Sequence, residues 1–235
     1  MKLELQTIKD SIQFIYIGKF YISSKKFYEK FILETIHNII KLYNIKYFRS
    51  NIIIKFESKK YKNKKEGYSF GGTWSNNMKI LLLQAWNIPK HEFNNFFNNI
   101  IVHELFHLFV PNVFMSKSIQ NGCFTEGFVE FLTYKYNNDL EEGIREYVKE
   151  YNNIEDKIYK KHKYMYFYGL TYMNKLYQKD PEKIDILINN ILFDRNKNKK
   201  SYYKTYYPED IIKYDKRLKK LFIGKKCNHI PRTLT

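Results

Sequence analysis

The stretch from Phe93 to Val110, FNNFFNNIIVHELFHLFV, is apolar on most faces of a helix, so it has to lie between two layers of structure rather than on a surface. The pattern predicts a helix from about Glu92 to Val110, ended by Pro111, whose ring cannot continue it. Three polar groups, His103, Glu104 and His107, sit in its greasiest part. Burying them costs free energy unless each is satisfied by hydrogen bonds or they share a ligand. Two readings follow: isolated core histidines bonded to backbone carbonyls, or histidines that meet on one ion.

The segments before this helix are mixed. IQFIYIGKFYI, residues 12 to 22, is rich in branched and aromatic residues and reads as a strand. From Lys25 to Tyr43 the period changes, with Phe27, Phe31, Ile32, Ile36, Ile39, Ile40 and Tyr43 recurring at three and four, as on an amphipathic helix. NIIIKFE (51 to 57) and MKILLLQ (78 to 84) read as strands, separated by a Lys-rich loop and a Gly-Gly turn at Gly71 and Gly72. After Pro111 the pattern is helical throughout. One helix is expected from Thr125, as its N-cap, to Tyr136, and others near 140 to 161, 164 to 178, 181 to 193 and 208 to 222. Pro181 and Pro208 open the last two. The expected fold class is α+β: one domain over residues 1–235, with a sheet-bearing lobe over about 1–110 and a helical lobe over about 111–235.

Composition narrows the function classes. With 22 Tyr, 19 Phe and 44% hydrophobic residues the chain can bury a sizeable core and is not disordered. Its two cysteines, Cys123 and Cys227, give neither a disulfide framework nor a thiolate metal cluster. The net charge of +17 invites a nucleic-acid reading, yet Lys, Asn, Ile and Tyr are enriched together and no nucleic-acid-binding motif occurs. KKYKNKK (59 to 65) and NKNKK (196 to 200) read as solvated loops. No run approaches the ~20 apolar residues of a membrane span, and the N-terminus lacks the order of a secretion signal, so a cytoplasmic location is expected.

His103 and His107 are four apart, so on a helix both imidazoles can aim at one ion, with Glu104 offset by about 100°. This is the H-E-x-x-H arrangement, in which the histidines hold zinc and the glutamate takes a proton from the metal's water. A catalytic zinc needs a third protein ligand, and Glu126, separated from His107 by eighteen residues, is the candidate. Glu130, one turn further, is placed to accept the spare N–H of a liganding imidazole. The plain alternatives are a helix-terminal acid for Glu126 and a solvated face residue for Glu130.

HELFH, the eighteen-residue gap and TEGF together resemble the gluzincin zinc metallopeptidases, in particular the glycyl-aminopeptidase-like family, over about residues 70 to 175. The resemblance implies a thermolysin-like catalytic domain, with a cleft between a small sheet lobe and a helical lobe, one Zn2+, and a peptide or protein substrate. It also implies a tyrosine that donates a hydrogen bond to the oxyanion, three residues before a glycine on a later helix. YFYG, residues 166 to 169, puts Tyr166 there, with Tyr168 in place of the usual Lys; core packing is the alternative role for Tyr166. Upstream, a Gly-Gly turn running into Leu-Glu-His precedes the strand on which substrate lies. Here Gly71 and Gly72 are kept while Thr73 and Trp74 replace Leu and Glu. The replaced glutamate binds the substrate's α-amino group in aminopeptidases, so its loss counts against aminopeptidase specificity, while the strand can still pair with an extended peptide by β-addition. A peptide-binding module with impaired turnover, or a basic protein that binds nucleic acid or an anionic surface, are the readings from other classes.

Overall fold

A computed structural model describes residues 5–193 apart from 47, 49–50, 58–60, 64–66, 70, 76–79, 85–90, 92, 111–118 and 156. Among the described residues there are seven helices and six strands, a mostly helical α+β architecture. The expected helix at 208 to 222 lies outside them. Packing divides the chain into two compact units after Leu108.

The first unit holds the sheet. Helix α1 (Leu5–Asp10), which has no clear periodicity in the sequence, leads into β1 (Ile12–Ile17), then α2 (Ile22–Leu42), then β2 (Ile52–Glu57). Strands β3 (Tyr61–Asn63) and β4 (Gly67–Ser69) pair as a small antiparallel hairpin, so part of the Lys-rich run expected as a loop is strand. Strands β5 (Gly71–Ser75) and β6 (Ile80–Gln84) complete a four-stranded sheet in the order β1-β2-β6-β5. Strands β1, β2 and β6 run parallel and β5 runs antiparallel to β6. The alternating burial of Ile52, Ile54 and Phe56 gives β2 one core face, and the buried stripe of α2, Tyr28, Ile32, Ile36 and Ile39, supplies the helical side of that core. The Tyr28 and Phe56 rings stack with centroids 5.5 Å apart.

Two expectations change here. Gly71 and Gly72 are not a turn: they pair in register with Gln84 and Leu83, because a glycine in a strand permits backbone pairing as readily as it permits a bend. Nor is β6, the MKILLLQ strand, available to an added peptide, since β2 and β5 occupy both of its hydrogen-bonding sides. Strand β5 ends the sheet, and α3 (Asn95–His107) packs against it.

The second unit is helical: α4 (Ile119–Tyr136), α5 (Leu140–Asn153), α6 (Lys157–Lys179) and α7 (Pro181–Phe193). Helix α4 begins six residues before Thr125, which is therefore interior and not a cap. Helix α5 ends at Asn153 and α6 begins at Lys157, where the periodicity suggested a break at 161–164, so His162 lies within α6. Helix α4 packs on α5 and α6, and α6 on α7. Lys135 joins three of them, donating to the Tyr177 hydroxyl at 2.8 Å and pairing with Asp185 at 3.2 Å.

Helices α4 and α6 touch where each carries a glycine. A methyl group on Gly127 would overlap Gly169 Cα and stand 2.7 Å from its carbonyl carbon and 2.9 Å from Leu170 N. In an ordinary helix interior Gly→Ala stabilises by about 1 kcal/mol. Here the sign reverses, because the new atom meets backbone rather than a side chain that can turn away. Gly127→Ala is expected to destabilise by about 3 kcal/mol or more, read as a lowered midpoint in urea unfolding.

Candidate metal centre

His103 and His107 occupy successive turns near the C-terminal end of α3, where Ile101, Val102, Leu105 and Phe106 are all fully buried. That apolar setting shields the polar groups too: His103, Glu104 and His107 are 8%, 8% and 6% exposed. The two rings meet edge-on, with centroids 5.0 Å apart and planes at 73°. Their Nε2 atoms approach to 3.2 Å, and the Nδ1 atoms on the far sides of the rings are shut off from solvent.

A separation of 3.2 Å suits a hydrogen bond between two neutral imidazoles, one donating and one accepting. It also suits a shared ion: two nitrogens about 2.0–2.1 Å from one tetrahedral zinc stand about 3.3 Å apart. Glu126 bears on the choice. One ligand atom each from His103, His107 and Glu126 lie within 4.8 Å of one another. A carboxylate has no part in a bond between two neutral rings, whereas a divalent cation needs its charge. Two imidazoles and one carboxylate form a donor set that zinc takes while keeping a fourth position open. The described residues thus bring together a group able to hold one metal ion.

The other residues singled out in the sequence fall as follows. Glu104 is buried on α3 between the two histidines in sequence and beside them on the helix. Glu126 and Glu130 are half-buried on successive turns of α4. Tyr166 is half-buried on α6, one turn before Gly169. The contact of Gly127 with Gly169 therefore sets the TEGF and YFYG segments against each other, with the glutamate next to one glycine and the tyrosine a turn from the other. The backbone of Gly71, Gly72, Thr73 and Trp74 lies in β5, the strand on which α3 packs. His91 is exposed, and the side chains of Cys123 and His162 fall outside the described residues.

Sequence reading passed over Tyr147. It is 8% exposed in the middle of α5, and burial holds its phenol well above the usual range, with the charge of Glu130 and the neighbouring Tyr166 and Tyr134 adding to the effect. The signal was present as a spacing of four, since Gly143, Tyr147 and Tyr151 share one face of α5.

No family model, curated protein or solved structure matches the chain. Among the described residues no helix is long and apolar enough to cross a membrane.

Proposed function

We propose that the protein is a zinc-dependent peptide hydrolase, a thermolysin-like gluzincin catalytic domain spanning residues 1–235. The single observation that carries this reading is the convergence of His103, His107 and Glu126 beside a buried Glu104. These three side chains would hold the ion. When bound, zinc supplies Lewis acidity, lowering the pKa of a water toward ~7 and polarising the scissile carbonyl.

The chain's own groups do the rest. Glu104 accepts the water's proton as general base and returns it to the leaving amine as general acid. Tyr166 donates its O–H to the carbonyl oxygen as that oxygen gains negative charge. Glu130, one turn beyond Glu126, would accept an imidazole N–H in the metal-loaded protein and so fix the tautomer that presents a lone pair to the ion. An extended peptide adds to the outer side of β5, at Gly71, Gly72, Thr73 and Trp74, through main-chain hydrogen bonds. Hydrolysis by this route forms no covalent link between protein and substrate.

The test is a mixed peptide library incubated with the zinc-loaded protein and read by mass spectrometry, with and without chelator. Cleavage at defined bonds, abolished by chelator and restored by zinc, is the expected result. Zinc bound tightly with every peptide intact would leave a peptide-binding protein in place of a hydrolase. The cleavage position also tells exo- from endopeptidase action.

A further inference from the structure

Six large apolar side chains stand well exposed among the described residues, and three of them fall within six positions of the chain: Ile17 at 44%, Tyr21 at 60% and Ile22 at 73%. Single exposed apolar residues are ordinary, but three at one bend leave a patch that calls for a partner. They flank the connection from β1 to α2. Gly18 turns the chain out of the strand with φ 101°, a backbone conformation that residues with a Cβ rarely take.

The bend is anchored. Phe20 meets the Tyr16 ring edge-on at 5.2 Å and the Phe56 ring at 6.4 Å, and Tyr16 itself stacks on the fully buried Phe56 at 4.9 Å. The Tyr21 carbonyl accepts from the Lys25 N–H at 3.0 Å and so opens α2. With Phe20 tied to the core and Tyr21 committed to the helix start, the side chains of Tyr21 and Ile22 are left in solvent.

Charge around the bend has one sign. From Ser11 to Tyr28 the charged residues are Lys19, Lys25 and Lys26 alone. Lys19 and Lys26 are exposed, and the Lys25 ammonium stands 4.9 Å from the centre of the Tyr16 ring. Two carboxylates adjoin the bend, and both are engaged within the fold. Glu29 accepts from the Tyr16 hydroxyl at 3.1 Å, and Glu57, the register partner of Ile17, pairs with Lys55 at 3.1 Å.

A patch both apolar and cationic matches the interface of an anionic bilayer. There, branched side chains enter the acyl boundary, a tyrosine spans its polar and apolar layers, and lysines meet the headgroups. A nucleic acid would use the lysines and leave Ile17 and Ile22 in water. A second copy of a chain with net charge +17 would bring like charges together at this patch. We propose that the β1–α2 bend is a membrane-docking loop: Ile17, Tyr21 and Ile22 enter the surface of an anionic bilayer, and Lys19 and Lys26 bind its headgroups, with Lys25 adding to the charge. The loop lies wholly in the first unit and is independent of any hydrolysis at the metal centre.

The test is co-sedimentation of the full-length chain with vesicles of phosphatidylcholine alone and of phosphatidylcholine with about one-third phosphatidylserine. The parent should bind the mixed vesicles at least about tenfold more tightly than the neutral ones. Tyr21→Ser with Ile22→Ser should lower binding to the mixed vesicles about ten- to a hundredfold, and Lys19→Gln with Lys26→Gln about tenfold. The four positions are exposed, and serine suits the N-cap place that Tyr21 holds, so urea midpoints should match the parent's. Lys149→Gln with Lys183→Gln, at exposed positions of the second unit, is the control and should change binding by less than about threefold. Serine variants that bind like the parent, or a control that weakens binding as much as the Lys19 and Lys26 changes, overturn the proposal, because the attraction is then diffuse charge. A parent that leaves the mixed vesicles unbound overturns it too, whether it instead binds single-stranded DNA or sediments as a dimer that the serine changes dissociate.

Discussion

Glu104→Gln is expected to bind zinc as tightly as the parent and to lose nearly all hydrolysis. The substitution keeps the length and shape of the side chain, so α3 has no reason to repack around a position that is 8% exposed. What changes is proton chemistry: an amide cannot take the proton of the attacking water or hand one to the leaving amine. Positioned general acid–base groups contribute about 10²- to 10⁴-fold, so kcat should fall by that factor, about 3–5 kcal/mol in the barrier. The histidines and Glu126 are untouched, and zinc affinity, measured by competition with a chromophoric chelator, should hold within about twofold, since no ligand or outer-shell partner is removed. A Glu104→Gln protein that cleaves at the parent's rate would remove Glu104 from the mechanism.

The ease with which the sequence discloses the site follows from how local its parts are. Two histidines four apart on an apolar helix are fixed by the helical period alone, and their buried, converging rings are what that period requires. Glu126 was legible for a different reason: its distance in sequence from His107 is a feature of a motif, and its nearness to the histidines is a matter of tertiary folding. The sheet was read less well. A Gly-Gly pair signals a turn in isolation, but pairing with β6 overrides that preference, and nothing in the residues 78–84 states which neighbours flank their strand. The start of α4 was misplaced because Thr125 has the chemistry of a cap, whereas the residues before it, IQNGCF, carry weak helical preference that packing overrides. Tyr147 escaped notice in a chain with 22 tyrosines, since its distinction lies in what α4 and α6 bring to it.

Glu126→Ala is expected to weaken zinc binding by at least about 100-fold, and it separates the two accounts of the histidine pair. Alanine suits a helix, and Glu126 is half-buried, so the metal-free protein should unfold close to where the parent does. The metal-bound proteins should differ sharply. Removing an outer-shell partner of a zinc site already costs about 10- to 100-fold in affinity, and losing a direct ligand should cost at least about 100-fold. At free zinc about 100 times the parent's Kd, binding stabilises the parent by about 2.7 kcal/mol, which for a chain of this size raises Tm by about 5–10 °C. The same zinc concentration is then no more than about the Kd of Glu126→Ala, and the gain shrinks to about 0.4 kcal/mol, about 1 °C. Differential scanning fluorimetry with and without zinc resolves that difference. If His103 and His107 simply hydrogen-bond each other across their 3.2 Å, zinc shifts neither protein, and the third carboxylate is a bystander. A large shift in the parent that survives in Glu126→Ala would place the third ligand elsewhere in the chain.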